Sequence, residues 1–322
     1  MNEKWIAYIA SLGQRALLYE AMLYPKAGLV DPISRGAHKD MDITTFIDSA
    51  LALGNGFHDF VKIGAEHAFE EPKKVRTLLR TRGILAEREM YLATSNVNTH
   101  KGIIYSMAFC LCAVGRILSR AISSGELISM EPFLRGELFE AMKEHHGDRE
   151  GFLQADPISE DVLVERIIEE VKELSAGILE DDMKDAKQRT HRTVGERLYL
   201  DHGLKGARGE VEDGLPTAQI GYRYLRERGS MERTDLLRAL LLIMETNCDT
   251  NVIARGGFDF LEEVKNRSKE LLKLDDRGLI SGLIEMDEWC IEHNISPGGS
   301  ADLLSIAIFL YLINFGGKRW KN

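Results

Sequence analysis

Proline and cysteine are scarce in this 322-residue chain, with 7 and 4 copies. That little proline excludes a collagen-like or polyproline rod, and that little cysteine excludes a disulfide scaffold. Cys110, Cys112, Cys248 and Cys290 form no CxxC pair, so they spell neither a zinc site nor a redox motif and read as buried thiols in a reducing compartment. Positive charge is not in excess either. The 41 Lys and Arg stand against 51 Asp and Glu, and a formal net charge of −10 excludes a global field that draws the chain to nucleic acid or anionic lipid. The longest uncharged apolar runs, Ile103 to Gly115 and Leu303 to Phe315, fall short of the roughly 20 residues of a membrane span. Met1 to Ile9 lacks the apolar stretch and small-residue cleavage site of a secretory signal. A cytoplasmic location is the resulting expectation. Also missing are a Walker motif, a GxGxxG after a strand and a serine nucleophile elbow, so the common nucleotide folds and hydrolases find no support.

What remains is 44% hydrophobic and 29% charged, enough for a sizeable core. Its apolar spacing is helical nearly throughout, with no series of alternating strands. Val164, Ile167, Ile168, Val171 and Leu174 repeat at i, i+3, i+4, i+7 behind a Ser159 cap with Glu160 and Asp161 in the first turn, which predicts an amphipathic surface helix. Leu236 to Met244, Ile103 to Leu118 and Leu303 to Phe315 are apolar on several sides and read as the core. No repeat and no low-complexity linker divides the chain. The expectation is an all-α fold: one compact multi-helix domain over residues 1–322, with glycine-rich loops forming a polar cleft.

Five polar, glycine-rich segments supply that cleft: Pro25 to Asp42, Asn96 to Gly102, Gly203 to Pro216, Thr246 to Gly257 and Ser296 to Leu304. They are denser in Gly, Asp, His, Lys and Arg than turns require. Asp31, His38, Asp40 and Asp42 form an oxygen-rich stretch that suits Mg²⁺ with water and phosphate, although Asp42 or Thr44 could simply start a helix; capping needs one such residue and not four. His100 and Lys101 precede an apolar helix whose free N–H groups favour an anion. Arg208 lies between Gly206 and Gly209, with Glu210 and Glu212 beside it, so a phosphate-binding turn and a solvated salt bridge both fit. Asp249, Asn251 and Arg255 again pair oxygen ligands with a cation. Gly298, Gly299 and Ser300 open a helix with Asp302 in its first turns, as an anion cradle or a plain cap would.

In this order, GAHKDMD at Gly36 to Asp42, NVNTHKG at Asn96 to Gly102, GARGE at Gly206 to Glu210, DTNVIARGG at Asp249 to Gly257 and SPGGSADLL at Ser296 to Leu304 resemble the triphosphoribosyl-dephospho-CoA synthase family. The resemblance runs from about Leu18 to Phe309. It departs at Ala27, where proline is expected, and at Asn96, where glycine is expected. It implies transfer of the triphosphoribosyl group of ATP to the 2′-hydroxyl of 3′-dephospho-CoA, with adenine leaving, for the prosthetic group of citrate lyase or of malonate decarboxylase. A separate carrier-protein transferase would take the product. Within the matching motifs, Asp40, Asp42 and Asp249 are expected near Mg²⁺. Lys26, His38, Asn98, His100, Lys101, Arg208, Asn251, Arg255, Gly298, Gly299 and Ser300 are expected on substrate and phosphates. Glu210, with Glu212 behind it, is expected as the base on the acceptor hydroxyl, and Asp302 as a further ligand or a cap. DTN and DMD also look locally like the acidic motifs of helical ADP-ribosyl glycohydrolases, which pass a ribosyl centre to water. A non-enzymatic nucleotide-binding module is the third reading. Nucleic acid and membrane are not expected partners.

Overall fold

A computed structural model describes residues 1–125, 162–188 and 190–315, and among these every regular element is an α-helix, as the spacing predicts. In chain order they are α1 (Glu3–Ala21), α2 (Ile43–Ala52), α3 (Gly54–Glu66), α4 (Pro72–Ala93), α5 (Lys101–Ser124), α6 (Val162–Ser175), α7 (Ile178–Gln188), α8 (Val194–His202), α9 (Gly206–Glu212), α10 (Pro216–Arg228), α11 (Arg233–Thr246), α12 (Thr250–Leu271), α13 (Asp276–Glu292) and α14 (Gly298–Phe315). The Ser159 cap with Glu160 and Asp161 lies outside the described residues, but the stripe behind it is there. On α6, Leu163, Val164, Ile167, Val171 and Leu174 are buried, while Glu165 and Glu169 face solvent.

Local chemistry sets the helix starts. Thr193 and Glu196 make a reciprocal capping box at α8. Asp275 accepts the Gly278 N–H at α13, and Pro72 and Pro216 take first-turn positions where a missing N–H costs nothing. α12 breaks at Gly257, whose φ of 82° lies in the left-handed region, so the ARGG sequence bends the helix soon after it begins.

The centre of the bundle is α5 and α14, buried almost all round. By length and composition each could cross a membrane. Here their apolar surface is covered instead by α1, α3, α6, α10 and α11. α3 reaches α5 backbone to backbone: a Cβ on Gly64 would lie 2.1 Å from the Cys112 carbonyl oxygen, and one on Gly115 2.2 Å from that of Val61. The far end of α5 is pinned by Arg116, which pairs with the buried Glu170 of α6 and donates to the carbonyls of His67 and Glu70. Cys110, Cys112 and Cys290 are buried as expected, whereas Cys248 is exposed because it sits in the connection between α11 and α12 and not on an apolar helix face.

This packing places three helix N-termini together. The start of α5 faces α14, since a Cβ on Gly102 would come within 2.2 Å of Asp302 Oδ2. The start of α12 faces it too, through a hydrogen bond from the Ser300 N–H to Asp249 Oδ2 at 2.8 Å. Glycine at 102 is required for so close an approach.

Candidate active site

The first segment is a loop knotted on Asp31. Its Oδ1 accepts the N–H groups of Ile33 (2.8 Å) and Ser34 (2.7 Å), and Oδ2 that of Lys26 (3.2 Å). Asp42 takes the capping alternative: its Oδ1 accepts from the backbone and hydroxyls of Thr44 and Thr45, and its Oδ2 accepts from Arg35. The Thr44 hydroxyl, with its neighbours, holds that carboxyl down at about 2. His38 reaches out of the loop. Its Nε2 lies 2.9 Å from Ser296 Oγ and its Nδ1 3.4 Å from Arg255 Nη2, and Arg255 also donates to the Ala37 carbonyl at 2.9 Å. Three of the five segments therefore meet at His38. Burial, then the Arg255 charge, lowers its imidazole to about 4, with Asp40 opposing. Burial lowers Arg255 as well.

Asp249 joins the fourth segment to the last. Oδ1 accepts from the N–H of Asn251 (2.9 Å) and caps α12; Oδ2 accepts from Ser300 N–H (2.8 Å) and Ser300 Oγ (2.9 Å). Burial raises its carboxyl, and these three bonds, with a fourth from the Val252 N–H at 3.4 Å, pull the other way. Asn247 completes the junction by donating to Ser300 Oγ at 3.0 Å. Asn251 lies against Gly298, and Asp249 against Gly299. The N–H groups of Gly102, Gly298 and Gly299 have no protein acceptor among the described residues, so the joined helix starts present free donors.

Asp302 sits over Gly102 and has no hydrogen-bond partner among the described residues, although it is only half-buried. Burial, then Glu20 and Asp249, raises its carboxyl well above the usual range. Glu20 of α1 was invisible to motif reading. It is ion-paired with Lys26, whose Nζ also donates to the Glu20 carbonyl at 2.8 Å, and both side chains are almost fully covered. Lys26 thus spends its ammonium on Glu20. Burial raises the Glu20 carboxyl against the pull of Lys26. His100, 3% exposed, occupies the N-cap position of α5 without capping it through its side chain, and its Nδ1 lies 2.6 Å from Ser49 Oγ. Asn98 is exposed beside it, its Oδ1 3.4 Å from the Lys101 N–H, and Lys101 pairs with Glu87 at 3.0 Å.

The GARGE segment is adjacent, with Gly206 3.6 Å from the Thr250 methyl by its Cβ position, but its charged side chains turn to other work. Glu210 caps α10: Oε1 accepts the N–H of Thr217 (2.7 Å) and Ala218 (3.0 Å), and Oε2 the Thr217 hydroxyl (3.0 Å). Burial raises its carboxyl against those bonds. Glu212 accepts the Gly177 N–H, and Arg208 donates to Asp182 at 2.7 Å. A cavity of about 540 Å³ elsewhere, between Tyr224, Arg228, Arg238 and Asp276, is lined by no residue of the five segments.

Sequence comparison now bears on this geometry. The model of the ATP:dephospho-CoA triphosphoribosyl transferase family matches residues 6–320. The chain belongs to this family. A Streptococcus equi subsp. zooepidemicus protein named "Probable 2-(5''-triphosphoribosyl)-3'-dephosphocoenzyme-A synthase" is 36% identical over 314 residues, covering 96% of this chain and 97% of its own. The Haemophilus ducreyi 2-(5''-triphosphoribosyl)-3'-dephosphocoenzyme-A synthase is 34% identical over 307 residues, covering 94% and 87%. No solved structure matches.

For this triphosphoribosyl transferase family member, two departures from the family pattern acquire a physical sense. Asn96 has φ 67°, the left-handed conformation for which glycine is the easiest residue and asparagine the next. Ala27 is 1% exposed, its place in the loop held by burial. A test of the site's electrostatics follows. Of the 9 histidines, His38 and His100 are expected to stay neutral from pH 8 to 5 in a histidine NMR titration, since burial holds them at about 4 and about 3. Each therefore contributes stability above its unfolded value of about 6.5 that is lost as pH falls toward those values. Titration of either near 6.5 would contradict the packing described.

Proposed function

We propose that the chain transfers the triphosphoribosyl group of ATP to the 2′-hydroxyl of 3′-dephospho-CoA, releasing adenine. The observation that carries this reading is the meeting of three helix N-termini with the Asp302 carboxylate in one place. The N–H groups of Gly102, Gly298 and Gly299, without an acceptor among the described residues, suit retained phosphates. The carboxylate of Asp302, with that of Asp249 behind it, puts negative potential where a ribosyl centre becomes cationic. That combination answers how an acidic chain accommodates two polyanions.

In the step itself the ribose C1–N9 bond breaks with its electron pair going to the purine, and a bond forms from C1 to the 2′-oxygen. The acceptor hydroxyl yields its proton to a carboxylate, which passes it on through water to the departing adenine, so the carboxylate ends ionised as it began. Asp302 is the carboxylate assigned to that proton. It accepts no hydrogen bond among the described residues, and a raised pKa brings a carboxyl nearer the working pH, where a general base is most effective. Glu210 has both oxygens engaged in capping α10, so its contribution is to hold the α9–α10 corner. Arg255 and His38 tie the GAHKDMD loop across the site. Asp40 is left to face the solvent side of that pair.

Magnesium enters this proposal as the companion of the triphosphate. Among the described residues no three His, Cys, Asp or Glu side chains group as a metal cage. Asp42 and Asp249 spend their oxygens on caps. A cage made by the protein alone is therefore absent among the described residues, so an ion carried on the triphosphate would take at most one or two carboxylates here, and no step passes through one. Location in the cytoplasm, a single catalytic domain, and delivery of the product to a carrier-protein transferase of citrate lyase complete the proposal.

The deciding experiment is incubation with ATP, alone and with 3′-dephospho-CoA. Adenine released only with the acceptor is the expected result. Release without it would make the chain a hydrolase, and none in either case would leave a binding module.

A further inference from the structure

We infer that the corner where α4, α5, α7 and α9 meet is a second phosphate subsite, in which Arg80, Arg208 and the Tyr105 hydroxyl hold the diphosphate of the acceptor. This rests on the transferase reading above and places the acceptor within it. Two guanidiniums share one carboxylate in the corner. Arg208 Nε donates to Asp182 Oδ2 at 2.7 Å, and Arg80 Nη1 stands 3.7 Å from Asp182 Oδ1. Arg76 donates to the Ala176 carbonyl, which neutralises nothing. Arg76, Arg80 and Arg208 thus face Asp182 and Glu212 with a positive charge left over, in a chain whose net charge is −10. The Tyr105 hydroxyl lies among these groups and feels the charges of Asp182, Arg208, Glu212 and Arg76. Its oxygen is buried and has no hydrogen-bond partner among the described residues. A hydroxyl so placed is costly to leave unpaired, and a phosphate oxygen would accept its proton.

The corner also has room. Arg76, Arg80, Gly83 and Glu87 fall on one face of α4, where Arg80 reaches α7 and Glu87 reaches Lys101 at the start of α5, at 3.0 Å. Between them Gly83 is half-buried, yet a Cβ there would meet no atom within 4 Å. Glycine weakens a helix interior. No protein contact requires it at 83, whereas a ligand passing over that backbone does. The acceptor is the polyanion that reaches this place. Asp302, the base on its 2′-hydroxyl, sits over Gly102, so its ribose lies at the start of α5. Tyr105 follows Gly102 on the same side of that helix, about 4.5 Å farther along the axis. The diphosphate on the 5′ carbon of that ribose extends toward it, while the donor triphosphate keeps the free N–H groups of the helix starts.

The test is titration calorimetry of the full chain with 3′-dephospho-CoA and with inorganic tripolyphosphate, run beside adenine-release kinetics. Arg80→Gln and Tyr105→Phe are each expected to raise Kd and KM for 3′-dephospho-CoA about tenfold. KM for ATP and the affinity for tripolyphosphate should stay within about twofold. Gly83→Leu, whose side chain meets open space in the free protein, should weaken 3′-dephospho-CoA by a similar factor. Arg80→Lys, which keeps the charge, should recover part of the loss. Wild-type affinity for 3′-dephospho-CoA in any of the first three variants overturns the inference. Equal losses for ATP and tripolyphosphate also overturn it, since they give the corner to the donor triphosphate. If the wild type binds 3′-dephospho-CoA and releases no adenine, the transferase reading fails and the calorimetry still decides the subsite. If it binds none, the subsite fails.

Discussion

Asp302→Asn is expected to lower turnover by about 10³-fold and, at the same time, to make the fold more stable. Both effects come from one carboxylate. Its oxygens accept no hydrogen bond among the described residues, and burial together with Glu20 and Asp249 raises it well above its ordinary 3.8. An ionised group in that position opposes folding. A raised carboxyl favours the fold fully below the unfolded pKa, and that contribution is lost as pH rises through the folded value. The asparagine variant removes the charge at nearly constant shape, so its advantage is absent near pH 3.8 and largest at neutral pH and above. A gain of about 1–2 kcal/mol is the usual scale for relieving such a site. Urea denaturation at pH 4 and pH 8, set beside adenine release, measures both halves. Glu210→Gln is the contrast: it disturbs three acceptor bonds at the start of α10 and should cost about 1 kcal/mol with turnover largely kept. Normal turnover in Asp302→Asn, or its collapse in Glu210→Gln, would return the base role to Glu210.

Glu210 separates what the sequence could tell from what it could not. Helix content was legible because the cues are local: the apolar stripe of α6 and the all-round apolar runs of α5, α11 and α14 are each written within one short segment. The polar segments were legible as a group, because glycine and charge are dense there. Their division of labour was not. Glu210 finds its partners seven and eight residues on, at Thr217 and Ala218, across a corner whose turn is not written in a motif. Lys26 looks like a phosphate ligand until α1 brings Glu20 to it. Ser49 lies in an ordinary amphipathic helix, 51 residues from the His100 ring nitrogen it meets. Residue type announced chemistry, and only packing said which groups had already been used.

Asp249→Ala is expected to destabilise the protein by about 3 kcal/mol, opposite in sign to Asp302→Asn although the two carboxylates belong to one cluster. Asp249 is 2% exposed and has donors on both oxygens. Alanine removes the α12 cap made through Asn251 and Val252, a loss of about 1–2 kcal/mol. It also strips the Ser300 hydroxyl of its acceptor in a buried place, for about 1 kcal/mol or more. The same bond from Ser300 to Asp249 holds the start of α14 against that of α12, so the free N–H groups of Gly298 and Gly299 lose their fixed aim. Tripolyphosphate affinity should therefore fall by about tenfold or more, along with turnover. Ser300→Ala separates the two roles. It removes one hydroxyl but leaves its backbone N–H to reach Asp249, so it should cost about 1 kcal/mol with phosphate affinity nearly intact. Equal phosphate losses in both variants would mean that the Ser300 side chain, and not the joined helix starts, makes the anion contact.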